Sequence, residues 1–417
     1  MKLIEDVYEF NQKIIGTEQP NAPTTLSKER LLFALTAMYE ELHEFTLASN
    51  QKPQDLFLLE GISCVAFNKD FTKVALSKKD NVIYIYSIPN LMKTDTWKLE
   101  TTLDTHVQYI SGLDWNAKTN EILSCSHDKT SYVWTYSDKK WTPSNVVATT
   151  KLGYLCCKWN SRGDKFCEGT SAKQLLIGYY NTGNNWWMGK NIKVHKSSVV
   201  CCEIDPTSLF VLSGSTDLRV YVSSCYMPDI DDKHLTDQTK PLAQDFGAVI
   251  YEFRPNCWLN SVTWNASGSL GFAAGQDATV AVIDYKNQKT DLIKCKHSPV
   301  TIVVPNGENS FLAVCYDRNI LEYEKKGDKW EIKKTITTDQ GKKATASKGN
   351  VSSAVQRFQQ MGVQKKENLA VTSKQASHLH QSIISSMNIK GKDVITTDVS
   401  GFEDRKSGSA GMPRPIS

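Results

Sequence analysis

Glu40, Glu41 and Glu44 are the residues of this chain whose spacing is best suited to binding a metal ion. They lie in residues 28–48, one of two segments, with residues 4–15, whose pattern predicts a helix. A spacing of four residues places Glu40 and Glu44 on one helical face, where paired carboxylates could hold Mg²⁺. No second acidic helix follows before residue 53 to complete such a site. The pattern therefore favours a solvated acidic face, and we predict no metal and no cofactor.

Two histidines are the other candidates for chemistry. His106 and His195 each lie a few residues before a predicted strand, a position that favours a hydrogen-bonded structural histidine over a catalytic one. No Ser–His–acid set, phosphate-binding glycine loop or Cys/His ligand cluster is recognisable in the strand-rich part of the sequence. We therefore predict that the chain is not an enzyme and has no catalytic residue.

The eleven cysteines are an odd number and lie mostly in predicted strands, without a Cys-x-x-Cys pair. Reduced thiols in the core are the favoured interpretation, and a zinc site is not expected. No apolar run approaches the roughly 20 residues that a membrane-spanning helix needs. Because Glu5, Asp6 and Glu9 interrupt the only candidate signal stretch, we expect a cytoplasmic protein.

A repeat positions most of these residues. Short apolar strands, many closed by Trp or Phe, are followed by a second strand, an Asp-centred turn and a third strand. The closing residues are 67, 115, 159, 204, 264 and 304. Their spacing is close to the roughly 40–45 residues of a four-stranded WD-type blade. With a weaker seventh copy from Ser382, the repeat predicts an all-β fold, a seven-bladed WD40-type β-propeller over residues 53–402. The turn aspartates are Asp80, Asp128, Asp217, Asp277 and Asp317.

Two insertions interrupt the repeat, at residues 226–256 and 338–380. The first is acidic and is expected to run outside the blades. The second, between blades 6 and 7, has helical spacing over Ser352–Met361, with Val355, Phe358 and Met361 on one face. This amphipathic helix is suited to the groove of another protein, the alternative being that it packs on its own blades.

Charge is unevenly distributed along the chain. Residues 341–417 contain 12 Lys or Arg and 5 Asp or Glu, within a total net charge of +4. A solvated, mobile segment explains this excess, although a basic segment could also meet an acidic protein face, a membrane or nucleic acid.

Several motifs, in order, resemble the WD-repeat subunit 1 of the actin-related protein 2/3 complex. They include Ser111-Gly-Leu-Asp-Trp115, the Trp186-Trp187 pair and Arg357-Phe358-Gln359, and the similarity spans residues 56–398. It implies a non-catalytic scaffold that supports nucleation of branched actin filaments in the cytoplasmic actin cytoskeleton. The implied partners are the other subunits of that complex, actin filaments and nucleation-promoting factors, with nucleic acid unlikely.

The resemblance also assigns the helix between blades 6 and 7. Ala354, Arg357, Phe358 and Gln359 match the insert-helix motif of the family, which reaches toward actin, and Met361 extends its apolar face. Arg357 would supply fork-like hydrogen bonds and Phe358 a buried anchor.

Both ends of the chain depart from that family. The last blade is followed by a Gly/Ser-rich charged stretch, so residues 403–417 are expected to be a disordered tail and the blade to lack its last strand. Residues 56–59 could supply an N-terminal strand to it. Residues 1–52 form a helical extension outside the family, in which the Glu40/Glu44 pattern resembles the first half of a MazG-type nucleotide pyrophosphohydrolase motif.

Two other functions remain open from the sequence. One is a propeller scaffold of a different assembly, on chromatin or RNA, which the basic C-terminal segment would suit. The other is an enzyme fusion whose N-terminal helices hydrolyse nucleotides after oligomerising to complete the acidic site.

Overall fold

The computed structural model describes residues 62–89, 96–295, 298–317, 319–327, 329–336, 384–390, 393–398 and 403–407. These residues all lie in one compact unit spanning residues 58–417. They form six four-stranded antiparallel sheets and one three-stranded sheet, each built from strands consecutive in the chain. The predicted seven-bladed propeller is confirmed.

Each blade begins with its inner strand and ends with its outer strand. Blade 1 contains β1 (Cys64–Phe67), β2 (Lys73–Ser77), β3 (Ile83–Ser87) and β4 (Lys98–Leu103). Blade 2 contains β5 (Ile110–Trp115), β6 (Ile122–Ser126), β7 (Ser131–Ser137) and β8 (Lys140–Asn145). Blade 3 contains β9 (Tyr154–Trp159), β10 (Lys165–Thr170), β11 (Leu175–Asn181) and β12 (Trp186–Ile192).

The remaining blades follow the same order. Blade 4 contains β13 (Val199–Ile204), β14 (Phe210–Ser215), β15 (Arg219–Ser224) and β16 (Val249–Phe253). Blade 5 contains β17 (Leu259–Trp264), β18 (Gly271–Gly275), β19 (Thr279–Asp284) and β20 (Lys289–Lys294). Blade 6 contains β21 (Val300–Pro305), β22 (Ser310–Cys315), β23 (Ile320–Lys326) and β24 (Lys329–Ile336), and blade 7 contains β25 (Ile384–Lys390), β26 (Asp393–Asp398) and β27 (Glu403–Ser407).

The hydrophobic core is a series of layers between neighbouring blades. Leu113, Trp115 and Trp134 of blade 2 pack with Ile83 and Ile85 of blade 1, for example. The second strands β6, β10, β14 and β18 are buried along their whole length, because they are covered on both faces. A single blade cannot bury both faces of its sheet alone, so the blades stabilise one another.

The turns between second and third strands lie at the same end of the propeller as the entries to the inner strands. In blade 2 the backbone N–H of His127 donates to the carbonyl of Tyr109, at 3.0 Å. The predicted role of the turn aspartates is confirmed at Asp80, Asp128, Asp277 and Asp317, since each accepts the backbone N–H two residues later. We call this end of the molecule the Asp-turn face.

The insertion at residues 226–256 is shorter than the sequence predicted. Val249–Phe253 is not loop but β16, the outer strand of blade 4, paired with β15. The alternation of apolar and polar residues in this strand was hidden in the sequence by the long polar segment that precedes it. The connection before it contains the short helix α1 (Pro228–Asp231) and two 3-10 turns, Asp232–His234 and Lys240–Leu242.

The expectation of a disordered tail over residues 403–417 is wrong for its first part. Glu403–Ser407 is the strand β27, which pairs with β26 from Thr397↔Glu403 to Asp393↔Ser407. The last blade therefore gains a strand at its C-terminal side that its charged sequence did not predict. Antiparallel pairing uses backbone N–H and C=O groups, so an outer strand forms without an apolar pattern.

The inner strand of blade 7, β25, contacts both β21 of blade 6 and β1 of blade 1. The first and last blades are therefore neighbours, and the ring closes. The predicted helical extension at residues 1–52, the candidate strand at residues 56–59 and the insertion predicted at residues 338–380 lie outside the described residues.

Candidate interaction surfaces

The residues predicted to bind a partner lie in the second insertion. Ala354, Arg357, Phe358, Gln359 and Met361 fall outside the described residues, and so do Glu40 and Glu44. Their roles stay predictions. The described part of the chain contributes several groups of buried polar side chains and several exposed surfaces.

A chain of four side chains links the strands of blade 2. Trp134 Nε1 donates to Ser124 Oγ at 2.8 Å, and Ser124 Oγ lies 2.8 Å from His106 Nε2. His106 Nδ1 lies 3.2 Å from Asp128 Oδ2. A neutral imidazole with its proton on Nδ1 satisfies every group, because Nε2 then accepts the Ser124 hydroxyl proton. The prediction from the sequence that the blades contain no Ser–His–acid set is therefore wrong, because Ser124, His106 and Asp128 are in contact.

Burial excludes nucleophilic chemistry by this set. Ser124 is fully buried and His106 is 2% exposed, so no substrate carbonyl can reach the hydroxyl. Burial lowers the pKa of His106 although the nearby Asp128 carboxylate raises it, which keeps the imidazole neutral. The predicted structural role of His106 is confirmed by these contacts.

Blade 4 contains a shorter version of the same set. His195 Nε2 lies 2.9 Å from Ser213 Oγ, and Nδ1 lies 3.3 Å from Asp217 Oδ2. Ser223 occupies the position that corresponds to Trp134, and its hydroxyl is buried without a hydrogen-bond partner. In both blades the Asp follows the His by 22 residues and the Ser follows it by 18. That shared spacing is the sequence signal that could have revealed both sets.

The Asp-turn face exposes apolar side chains among lysines. Val107 is 78% exposed and Trp258 is 55% exposed, although each lies beside a buried inner strand. Lys129 and Lys173 are exposed at turn positions with φ of 71° and 66°. The other exposed apolar residues of this face are Tyr109, Leu152, Leu218 and Tyr316. The other exposed lysines are Lys79, Lys151 and Lys196. The face is thus suited to a partner segment with apolar and acidic residues.

The Trp186-Trp187 pair divides between two environments. Trp187 is buried between blades 2 and 3, where it packs edge-on against Trp159 at 5.4 Å between ring centroids. Trp186 is 47% exposed at the outer rim, and its Nε1 donates to the carbonyl of Asn145 at 2.7 Å. Blade 2 also meets β12 directly through the parallel bridge between Val147 and Met188. Trp187 therefore stabilises the contact between the blades. The exposed ring of Trp186 is fixed in orientation by its hydrogen bond to Asn145.

A buried ion pair fastens the connection in blade 4 to blade 3. Lys165 Nζ donates to Asp231 Oδ2 at 2.8 Å and to the carbonyls of Ser208 and Cys225 at 2.6 and 3.0 Å. Arg162 donates to the other oxygen of Asp231. Both Lys165 and Asp231 are fully buried. The helix α1 is thereby fixed to the core, and the loop that follows it mixes exposed and half-buried residues.

A cavity of about 370 Å³ lies between the outer strands of blades 1 and 2. Trp134, Tyr136 and Trp141 line it together with Glu100 and Lys140, and its described lining includes no histidine or cysteine. No three His, Cys, Asp or Glu side chains in the described ranges come together as a metal site would require. None of the helices in the part of the chain that the structure describes is long and apolar enough to cross a membrane.

The fold is a WD-repeat propeller. It has seven WD-type blades, and two of them contain a buried Ser–His–Asp set. The family model for the WD domain, G-beta repeat, matches residues 97–135 and 188–222. Both matches cover blades that contain the buried histidine sets.

Similarity to whole proteins is more specific. The chain is 30% identical over 344 residues to actin-related protein 2/3 complex subunit 1A-A of Xenopus laevis, covering 81% of this chain and 90% of that protein. It is 30% identical over 298 residues to subunit 1A of the same complex in Arabidopsis thaliana, covering 70% and 77%. With subunit 1 of Schizosaccharomyces pombe it shares 23% identity over 298 residues, covering 68% and 76%. The chain belongs to the family of actin-related protein 2/3 complex subunit 1.

Proposed function

We propose that this chain is a non-catalytic subunit of the actin-related protein 2/3 complex and supports nucleation of branched actin filaments in the cytoplasm. The observation that carries the proposal is similarity over 90% of the length of a subunit 1 relative. The buried position of both Ser–His–Asp sets supports a role through surfaces instead of catalysis. The partners are the other subunits of the complex.

The test is purification of the tagged full-length chain from its own cells, followed by mass spectrometry. Recovery of the actin-related proteins and the remaining subunits in equal amounts is the expected result. Recovery of chromatin or RNA-binding factors in their place would support the alternative scaffold, which the family relationship disfavours.

The nucleotide pyrophosphohydrolase alternative depends on Glu40 and Glu44. Incubating the purified chain with nucleoside triphosphates and Mg²⁺ should release no pyrophosphate above the level of a Glu40→Gln variant. A release that this substitution abolishes would establish the enzyme.

The insert helix is proposed to reach actin filaments. Arg357 and Phe358 are of the types that contribute most to interfaces, a guanidinium fork and an aromatic anchor. Arg357→Ala or Phe358→Ala should leave the propeller folded and the complex intact while lowering the number of branches per filament length. Branch counts equal to wild type in a reconstituted complex, measured by fluorescence microscopy, would remove this role.

The Asp-turn face is proposed to meet nucleation-promoting factors. Its exposed lysines and apolar side chains complement a segment that combines acidic and apolar residues. Replacing Lys129 and Lys173 by Glu should weaken binding of an activator fragment and reduce its dependence on salt. Lys118→Glu, at the opposite end of blade 2, is the matched control and should bind like wild type. Equal affinities for the variant and the control would place the activator elsewhere.

A further inference from the structure

Three thiols meet between the inner parts of blades 3 and 4. Cys156 Sγ of β9 lies 3.6 Å from Cys202 Sγ of β13. Cys167 in β10 belongs to the same hydrophobic cluster as Cys156 and Cys202. All three cysteines are free.

The separation between Cys156 and Cys202 is short enough for a bond to form by a small movement. A disulfide has an S–S distance of about 2.05 Å, so each sulfur would move by about 0.8 Å. The Cys156 sulfur packs directly over Gly169, where an added Cβ would lie only 2.7 Å from it. The glycine leaves room for the Cys156 side chain that any other residue would fill.

We propose that Cys156 and Cys202 form a latent disulfide, which a peroxide oxidant closes across the boundary between blades 3 and 4. Cys156 loses its proton, its thiolate attacks one oxygen of hydrogen peroxide and the O–O bond breaks. The leaving hydroxide takes up that proton, so a sulfenic acid and one water result. The sulfur of Cys202 then attacks the sulfenic sulfur and expels a second water. Two thiols lose two protons and two electrons in total, and the peroxide is reduced to two waters.

Exposure decides which sulfur reacts first. Cys156 is half-buried, whereas Cys202 is 5% exposed and Cys167 is fully buried. The pKa of Cys202 is raised well above its ordinary value, first by its hydrogen bonds with Cys156 and Cys167 and then by burial. Since a thiolate attacks faster than a thiol, the raised pKa of Cys202 slows the closing step.

The cross-link would join two neighbouring inner strands that are separated by 46 residues in the chain. It would restrict the unfolded chain and hold the two blades together. The oxidised protein should therefore unfold at a higher urea concentration than the reduced protein.

The test treats the folded full-length chain with graded hydrogen peroxide, blocks the remaining thiols by alkylation and maps non-reduced peptides by mass spectrometry. A linked peptide pair containing Cys156 and Cys202, which dithiothreitol separates, is the expected product. Cys156→Ser should abolish it. Cys64→Ser removes another half-buried thiol from an inner strand and should leave the cross-link unchanged.

Two results would overturn the proposal. One is oxidation of Cys156 to sulfinic acid in the wild-type protein without any linked pair. The other is a pair that links Cys167 with Cys202 while Cys156 stays alkylated, which would place the first oxidation at the buried thiol. Both readings come from the wild-type chain, so they do not depend on the folding of a variant.

Discussion

The hydroxyl of Ser124 lies between Trp134 Nε1 and His106 Nε2, both buried, and it forms a hydrogen bond with each. It accepts the N–H of Trp134 and donates to His106, so one oxygen satisfies both groups. In blade 4 the hydroxyl of the corresponding Ser213 forms its hydrogen bond with His195, and Ser223 stands where blade 2 has the tryptophan. Both serines therefore satisfy a buried histidine nitrogen, and Ser124 also satisfies the tryptophan N–H.

Replacing these serines should separate their contributions to stability. Ser124→Ala leaves two buried nitrogen groups without a partner and should lower the free energy of unfolding by about 2–4 kcal/mol. Ser213→Ala leaves one and should cost about 1–2 kcal/mol. Urea denaturation of the two variants measures the difference. Equal losses would show that the Trp134 contact contributes nothing.

A buried carboxyl group makes stability depend on pH. Glu168 lies between blades 2 and 3, accepts the hydroxyl of Ser131 and has its second oxygen buried without a partner. Burial raises its pKa from the ordinary 4.5 to about 8. The folded protein then keeps a proton that the unfolded chain loses, so stability is full below pH 4.5 and falls as the pH rises to about 8.

The slope from this group is about 1.4 kcal/mol per pH unit within that window. Glu168→Gln keeps a similar shape without titrating, so its free energy of unfolding should fall less between pH 5 and pH 8. Denaturation curves at several pH values check this. The exposed Glu331→Gln is the control and should follow the wild-type slope. A slope unchanged by Glu168→Gln would show that the carboxyl is ionised at neutral pH.

At the scale of elements, the connection between β15 and β16 is anchored near its start by a buried ion pair and near its end by a hydrogen bond from Ser224 Oγ to the carbonyl of Gln244, at 2.8 Å. Lys165 and Asp231 bury opposite charges where the helix α1 meets blade 3, and residues 232–248 follow on the surface. The sequence predicted an acidic loop outside the blades. It did not predict that one of its aspartates is fully buried, because Lys165 is 66 residues away in the chain.

Removing one charge of that pair should release the loop. Lys165→Met leaves the Asp231 carboxylate buried with Arg162 as its remaining ionic partner, and should cost about 3–5 kcal/mol. Limited proteolysis should then cut within residues 232–248 faster than in wild type. Lys233→Met, on the exposed part of the same connection, should change neither quantity. A stable, protease-resistant Lys165→Met protein would show that apolar contacts alone fix α1.

At the scale of the whole molecule, closure of the ring depends on blade 7. β25 contacts the first blade, and β26 is covered by β27 on its outer side. An uncovered β26 would present a row of free backbone groups to other chains. The strand β27 therefore protects the blade that joins the two ends of the propeller.

Two truncations test this arrangement. Ending the chain after Phe402 removes β27 and should lower the melting temperature and promote aggregation. Ending it after Ser407 removes only the residues beyond β27 and should preserve both properties. Light scattering during thermal unfolding measures the two effects together. Identical behaviour of the two truncated chains would show that β27 does not contribute to closure.

The repeat of apolar strands and Asp-centred turns was sufficient to predict seven blades, their order and a structural, hydrogen-bonded role for the two histidines. The strands and turns follow from the local alternation of apolar and polar residues and from turn chemistry, and both can be read in short segments of the sequence. Motifs spread along the chain were also sufficient to predict the family. The roles of Arg357 and Phe358 remain predictions from the sequence.

Only the tertiary structure decided which distant side chains meet. The alignment of Ser124 with His106, the pairing of Lys165 with Asp231 and the contact of Cys156 with Cys202 all join separate strands. The strand at Glu403–Ser407 likewise exists because β26 offers it a backbone partner. Such contacts depend on how blades pack and pair, and a one-dimensional pattern of apolar and polar residues does not record those distances.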